Sequence, residues 1–119
     1  MISKNIFIVI DDKSVPVANS RIAGHFLSRA IGLLFTKELT EDSGLFITKC
    51  SSIHTFFMCY AIDVVFVNKH LVVTKVVRNI QPWRVAFNRN ANAVLELPAG
   101  RIDIIGIVVG CQLFMRDIK

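Results

Sequence analysis

The stretch that decides the fold is Ile62-Asp63-Val64-Val65-Phe66-Val67, in which every residue except Asp63 is β-branched or aromatic. Side chains of this kind favour a pleated strand. A run without apolar–polar alternation is typical of a strand that is covered on both faces. The segments 52–58 and 71–77, on either side of it, have a similar composition. We therefore predict a meander of three antiparallel strands, in which a hairpin loop at 59–62 places Met58 opposite Asp63.

Additional strands are predicted on both sides of this meander, each as a short apolar run that ends at polar or turn-forming residues. They are 6–10, 45–47, 93–97 and 107–115, the last with a break at Gly110. A turn at 11–13 follows the first of them, because Asp11 and Asp12 interrupt the apolar run.

Two helices are predicted. Apolar residues recur at helical spacing over 21–35, and Asn19 or Ser20 would be the N-cap of that helix. A second, short helix is predicted near 99–105, although its β-branched residues favour a strand. The predicted fold class is α+β, mainly β, with a compact antiparallel sheet or a barrel-like core.

The composition indicates one globular domain over residues 1–119. The chain is 53% hydrophobic and 19% charged, with a mean hydropathy of +0.53. A domain near this length buries roughly two-thirds of the surface of its unfolded chain, so it can fold without metal or disulfides. A membrane-spanning helix needs about 18 consecutive apolar residues, and the apolar runs here are much shorter. The hydrophobic fraction is slightly above that of typical globular domains. The additional apolar side chains must be covered within the sheet or in a subunit interface, so a homodimer is one alternative.

The cysteines Cys50, Cys59 and Cys111 indicate the compartment. An odd number without regular spacing is typical of free thiols in a reducing cytoplasm. The apolar run at 6–10 is also too short for the core of a secretory signal, which needs about 7–15 apolar residues. We therefore predict a cytoplasmic protein.

The formal net charge is +5, and much of it lies in one part of the chain. No acidic residue occurs from Val64 to Leu95, a stretch that contains Lys69, Lys75, Arg78, Arg84 and Arg89. Trp83 and Phe87 are interleaved near its end, and this combination can bind nucleic acid through 69–89. A solvated surface whose charge serves solubility explains the same pattern. We favour that interpretation, so nucleic acid is not the expected partner.

A thiol, an imidazole and a thioether lie close in sequence at Cys50, His54 and Met58. Residues four apart on a continuous strand are separated by about 13 Å. A Cys50 nucleophile with His54 as its base therefore requires a turn or bulge near Ser51. The absence of C-x-x-C and of paired histidines argues against a zinc site. A soft copper site stays open, but our prediction is that the chain holds no metal.

Two carboxylates, Asp63 and Glu96, each lie between two aliphatic residues. If their strands are covered on both faces, each must be paired, because an unpaired buried charge costs several kcal/mol or forces protonation. Arg29, Arg84 and backbone amides are the expected partners. We favour such structural pairing over acid–base catalysis.

Six segments form an ordered set of motifs: Gly32-Leu33-Leu34-Phe35, Gly44-Leu45, Ser52-Ile53-His54-Thr55-Phe56-Phe57-Met58, Ile62-Asp63-Val64-Val65-Phe66, Pro82-Trp83-Arg84 and Leu95-Glu96-Leu97-Pro98-Ala99-Gly100. Their order and spacing resemble the widespread prokaryotic family called domain of unknown function 192, from about residue 17 to 114. The resemblance implies a compact, mainly β domain with an early helix, and it supplies no reaction. Thr36, Asn68 and Cys111 depart from the family pattern.

We predict a small, uncharacterised binding or accessory module with a polar pocket. The pocket residues are those that are both chemically unusual in their surroundings and part of the motifs: His54, Met58, Asp63, Trp83, Arg84 and Glu96. Arg84 can hold an anionic group of a small molecule while Trp83 packs beside it. A small enzyme with a Cys/His/carboxylate site is one alternative, and nucleic-acid binding through 69–89 is another. The sequence names neither a reaction nor a cofactor.

Overall fold

A computed structural model describes residues 3–23, 42–56 and 58–117. Over these residues the chain forms nine strands and one short helix. The strands are β1 (Ser3–Ile10), β2 (Lys13–Ala23), β3 (Ser43–Thr48), β4 (Ser52–His54), β5 (Ile62–Val67), β6 (Val73–Ile80), β7 (Val85–Phe87), β8 (Ala93–Pro98) and β9 (Leu113–Asp117). The helix, α1, is Arg101–Ile105. The predicted mainly β class is confirmed.

Seven strands form one mixed sheet in the order β6-β5-β8-β3-β2-β1-β9. Neighbouring strands in it are antiparallel except β2 and β3, which run parallel. The prediction of an antiparallel sheet is therefore corrected at this pair. Among the residues described, the sheet also does not close into a barrel. A bridge between Val72 and Gln112 joins the chain next to β6 and β9, but no ladder forms between the two strands.

Strand β5 lies inside this sheet, between β6 and β8, and all its residues are buried. Its two faces belong to different apolar clusters. The α1-side core includes Val65, Val67, Leu95, Leu97 and Ile102. The β4–β7-side core includes Val64, Phe66, Val94, Ile53 and Ala86. The prediction that this strand is covered on both faces is confirmed.

The predicted hairpin between 52–58 and β5 is wrong. Strand β4 instead pairs with β7 in a separate two-stranded sheet, and it ends at His54. The chain then turns, with the Met58 N–H donating to the Thr55 carbonyl oxygen at 3.2 Å. Strand β5 has β6 and β8 on its two edges, so its backbone groups have no free edge to offer β4. Asp63 consequently lies opposite Leu97 and not opposite Met58.

The predicted helix over 21–35 is wrong at its start, and residues 24–35 lie outside the described part of the chain. Residues 21–23 end β2, where pairing with β3 overrides the helical spacing, and Ser20 is a strand residue and not an N-cap. The short helix predicted near 99–105 is confirmed as α1. Gly100 and Gly106 flank it with φ of 92° and 88°, a conformation that favours glycine.

Within residues 3–23, 42–56 and 58–117, none of the helical structure has the length and apolar character needed to cross a membrane.

The predictions for the first turn of the chain and for its last strand have different outcomes. The turn at 11–13 is confirmed, and Asp11 and Asp12 adopt φ of 50° and 62°, as in a two-residue type I′ hairpin turn. The strand predicted over 107–115 begins only at Leu113. The preceding residues form a loop in which Gly110 has a φ of 96°.

Candidate functional site

Thr55 joins the end of β4 to the turn that precedes β7. Its side chain is buried, and its hydroxyl donates to the Gln81 carbonyl oxygen at 2.6 Å and accepts from the Arg84 N–H at 2.9 Å. Its backbone N–H donates to the Arg84 carbonyl oxygen at 2.9 Å, and its carbonyl oxygen accepts from the Trp83 N–H at 3.1 Å. These four hydrogen bonds place Trp83 and Arg84 beside His54.

The side chains around Thr55 form an exposed aromatic surface. The centroids of the His54 and Phe56 rings are 4.8 Å apart, and the Phe56 and Trp83 rings are stacked at 5.5 Å. Trp83, Val85 and Phe87 are 57%, 62% and 63% exposed. We call these five residues, His54, Phe56, Trp83, Val85 and Phe87, the aromatic surface. It is the side of the β4–β7 sheet that faces away from the β4–β7-side core.

The backbone of Trp83 is strained. Its φ is 65°, in the left-handed region, where a residue with a Cβ costs about 1–2 kcal/mol. Strain of this kind persists only where surrounding contacts determine the backbone, and it concentrates at functional sites. Here the hydrogen bonds of Thr55 supply those contacts. The fold therefore holds Trp83, whose half-exposed ring stacks on Phe56, in an unfavourable backbone conformation.

Two cations lie at this surface. The Arg84 guanidinium is exposed, with Nη1 donating to the Trp83 carbonyl oxygen at 3.4 Å. No carboxylate among the described residues forms an ion pair with it. At the other end, Lys75 Nζ donates to the Phe87 carbonyl oxygen at 3.0 Å and lies 5.7 Å from the centroid of the Phe87 ring. The aromatic surface is therefore flanked by positive charge at both ends.

Met58 lies at the margin of this arrangement. Its side chain is partly buried against the β4–β7-side core. Its backbone is attached to Thr55 through the turn, but its thioether does not belong to the exposed ring stack. Of the six predicted pocket residues, the structure thus gathers His54, Trp83 and Arg84, with Met58 next to them.

Asp63 is 1% exposed and holds three backbone segments together. Its Oδ1 accepts from the Asn79 N–H at 2.8 Å, and its Oδ2 accepts from the N–H groups of Gly100 at 3.1 Å and Ile102 at 2.9 Å. Asn79 belongs to a bulge of β6 that faces Asp63, and the other two donors start α1. Backbone amides were among the predicted partners of this carboxylate. Arg84 was another, but it lies at the aromatic surface, and Arg29 lies outside the described residues.

Glu96 is half-buried in β8, between Leu45 of β3 and Val64 of β5. Burial among these aliphatic side chains raises the pKa of Glu96 from 4.5 to about 7. In the part of the chain that is described, no donor or cation contacts its carboxylate. Burial therefore moves the titration of the Glu96 carboxyl group towards neutral pH.

Asp63 and Glu96 do not converge. Val64 lies directly opposite Glu96, and Asp63 directly opposite Leu97. Successive residues of a strand point to opposite faces, so Asp63 faces the α1-side core and Glu96 the β4–β7-side core. These two carboxylates cannot share one pocket, and the predicted six-residue pocket is divided.

Cys50 and His54, the two residues of the alternative enzyme site, also lie in different environments. The Cys50 thiol is buried and donates to the Ser52 carbonyl oxygen at 2.9 Å. The His54 ring is exposed, and its Nδ1 accepts from the Phe56 N–H at 3.3 Å. No three His, Cys, Asp or Glu side chains of the described segments are close enough to hold a metal ion.

Sequence reasoning missed three members of the arrangement: Thr55, Phe56 and Val85. Thr55 could have been identified from the sequence, because it is a hydroxyl residue inside an apolar segment. Its partners, Gln81 and Arg84, are distant in sequence, so only the folded chain reveals them. A shallow cleft lies elsewhere, between β1, β2 and the start of α1, and none of the six predicted residues lines it.

Comparison with known proteins gives the family. A UPF0127 protein of Pyrococcus horikoshii, PH1112, is 36% identical over 86 residues, which are 67% of this chain and 72% of that protein. A UPF0127 protein of Pyrococcus furiosus, PF1050, is 34% identical over 97 residues, 78% of this chain and 83% of that one. The crystal structure of a proposed transcription regulator from Sinorhizobium meliloti shares the fold, with a TM-score of 0.83 at 16% identity over 95% of this chain and 93% of that one. The model of the DUF192 family, described as an uncharacterized ACR, matches residues 8–115, and the chain belongs to this family, whose function is not established.

Proposed function

We propose that the protein is a binding module that recognises an anionic small molecule with a planar apolar part at the aromatic surface. The observation that carries the proposal is Trp83, an exposed indole held in a left-handed backbone conformation by the buried Thr55. Exposure of a large ring and a left-handed backbone each lower stability, and such features concentrate at functional sites. A ligand that stacks on the indole would use the exposed face of the ring, which the strained backbone holds in place.

Charge supports an anionic ligand. Arg84 follows Trp83 directly, has an exposed guanidinium and pairs with no described carboxylate. A guanidinium offers planar, charge-assisted hydrogen bonds to carboxylates, sulfonates and phosphates. The net charge of +5 would raise the local concentration of such a ligand.

The proposal reduces the predicted pocket to a surface. His54, Trp83 and Arg84 keep the predicted binding role, and Met58 supports them from the core side. Asp63 and Glu96 are not part of the proposed site. The proposed location is the cytoplasm, in keeping with three cysteines whose number and spacing do not suit a disulfide framework.

Nuclear magnetic resonance tests the proposal directly, because Trp83 is the single tryptophan and gives one indole N–H signal. The probe is naphthalene-2-sulfonate, and the matched neutral compound is naphthalene-2-sulfonamide. We expect the indole signal to shift saturably with the anion and more weakly with the sulfonamide. Arg84→Gln should weaken binding of the anion about threefold or more. Arg116→Gln, which removes the same charge in β9, beside the Phe7 and Phe114 rings, should not.

An unmoved indole signal, or equal binding of the neutral sulfonamide, contradicts the proposal. A second copy of the chain is the other candidate occupant of this surface. If the indole signal changes with protein concentration in the absence of probe, and sedimentation shows a dimer, the surface is an interface and the small-molecule proposal is wrong.

A further inference from the structure

We infer that the aromatic surface takes the bases of a single-stranded nucleic acid. This inference rests on the proposed function because it uses the same surface, and it replaces the small molecule by a longer ligand with the same two features, planar rings and anionic groups. Proteins that bind single strands without strong sequence preference combine exposed rings, on which bases stack, with cations that follow the phosphates. Both features occur around β7, with exposed rings at Trp83 and Phe87 and a cation in contact with each of these two residues.

The rings form two stacking platforms. Trp83, stacked on Phe56, precedes β7, and Phe87 ends it. Trp83 lies in the turn before β7, so Arg84, Val85 and Ala86 lie between the two platforms in the chain. Val85, exposed between them, continues the apolar surface. A ligand that used both platforms would have to be longer than one ring system.

Cations lie near both platforms. Arg84 lies next to Trp83, Lys75 beside Phe87, and Arg89 is exposed two residues beyond Phe87. No acidic residue occurs anywhere from Val64 to Leu95. The ion pairs found among the described residues, Lys4 with Asp117 and Arg78 with Asp103, involve none of these three cations. No carboxylate of the described residues therefore competes with a polyanion for these three cations.

The combination favours a single strand over other polyanions. In a duplex the flat faces of the bases are covered by stacking, so the exposed rings would have no role. An acidic peptide would satisfy the cations but offer no planar group to the exposed faces of the Trp83 and Phe87 rings. The sequence pattern alone favoured a solvated surface whose charge serves solubility. The exposure of the rings beside the cations is what separates the two interpretations.

The experiment measures fluorescence anisotropy of a labelled twelve-residue oligothymidylate with the full chain. Binding should be saturable. The logarithm of the association constant should fall with the logarithm of the salt concentration with a slope of about −2, because each of three phosphate contacts to a single strand contributes about −0.7. Trp83→Ala and Phe87→Ala should each weaken binding about fivefold or more. Arg84→Gln should reduce the slope by about 0.7, and Arg116→Gln, the charge-matched control, should leave it unchanged.

Two other polyanions and the naphthalene-2-sulfonate titration decide the interpretation. A twelve-base-pair duplex and a twelve-residue oligoglutamate should each bind at least tenfold more weakly than the oligothymidylate. If either binds equally well, or if both ring variants bind like the wild type, the inference is wrong. If naphthalene-2-sulfonate shifts the Trp83 signal but the oligothymidylate does not bind, the nucleic-acid inference fails and the proposed function stands. If neither binds, both fail.

Discussion

At the scale of single residues, Asp63 shows how a buried carboxylate can be structural. Three N–H donors from two separate elements converge on its two oxygens. Hydrogen bonds to a charged group contribute more than neutral ones, about 1.5–3 kcal/mol each. The carboxylate fixes the bulge of β6 and the start of α1 relative to β5, and all its close partners are backbone groups.

Asp63→Asn should therefore destabilise the protein by about 2–4 kcal/mol, because the amide has one acceptor oxygen and presents its NH₂ to the remaining donors. Urea unfolding measures the loss. Binding of naphthalene-2-sulfonate by the folded fraction should be unchanged, since Asp63 faces away from the aromatic surface. A loss of binding without a loss of stability would show that the carboxylate belongs to the site.

Trp83 is the opposite case, a residue that stability does not explain. Trp83→Gly and Trp83→Ala both remove the ring, but only glycine adopts a φ of 65° without strain. The glycine variant should be about 1 kcal/mol more stable than the alanine variant. Both should lose probe binding equally. Equal stability of the two variants in thermal unfolding would mean that the backbone at this position relaxes.

At the scale of elements, the β4–β7 sheet is short and depends on Thr55. Each strand contributes three residues, and an isolated two-stranded sheet is marginal in water. Packing of Ile53 and Ala86 against the core and the hydrogen bonds of the Thr55 hydroxyl stabilise it. The aromatic surface is therefore positioned by one small buried side chain.

Thr55→Val keeps the shape of this side chain and removes the hydroxyl, leaving the Gln81 carbonyl and the Arg84 N–H without their partner. We expect a loss of about 2 kcal/mol, from two neutral hydrogen bonds of about 1 kcal/mol each. We also expect a changed environment of Trp83 in its fluorescence spectrum. Thr55→Ser retains the hydroxyl and should restore the wild-type spectrum. If the valine variant keeps both stability and spectrum, Thr55 does not position the turn.

At the scale of the whole molecule, Glu96 makes stability depend on pH. Its pKa is about 7 in the folded chain and 4.5 for the unperturbed group. The folded state therefore retains a proton that the unfolded chain has released, and stability falls as pH rises from 4.5, with the loss complete above about 7. One pKa unit corresponds to about 1.4 kcal/mol, so the total loss is at most about 3 kcal/mol and is reduced by partial exposure.

Glu96→Gln should remove this dependence, because the amide does not titrate. Denaturant unfolding at pH 4.5 and pH 8 should show the wild type losing more stability than the variant over this interval. Other groups titrate in both proteins, so the difference between the two curves isolates Glu96. If the curves are parallel, the carboxyl is ionised in the folded chain and the burial of this position is smaller than the structure indicates.

Much of the strand pattern could be predicted from sequence, and the reason is local. The apolar runs that became β1, β3, β5 and β8 specify strands by composition, and Asp11-Asp12 specifies a turn by the tolerance of Asp for positive φ. The polar residues within those runs identified Asp63 and Glu96 as unusual. Local signals failed where pairing decides the structure, as for residues 21–23 and for the end of β4.

Only the tertiary structure decided which polar residues meet. Asp63 and Glu96 look alike in sequence, yet the register of β5 with β8 sends them to opposite faces of the sheet, and one becomes a structural acceptor and the other a titratable acid. His54 and Trp83 are distant in sequence, yet the hydrogen bonds of Thr55 bring them to one surface. The sequence by itself determined the family, the mainly β class and the candidate residues, because composition and motif order are properties of the chain. The division of those residues between core and surface depends on strand order and register, which arise from long-range pairing that a local pattern does not contain.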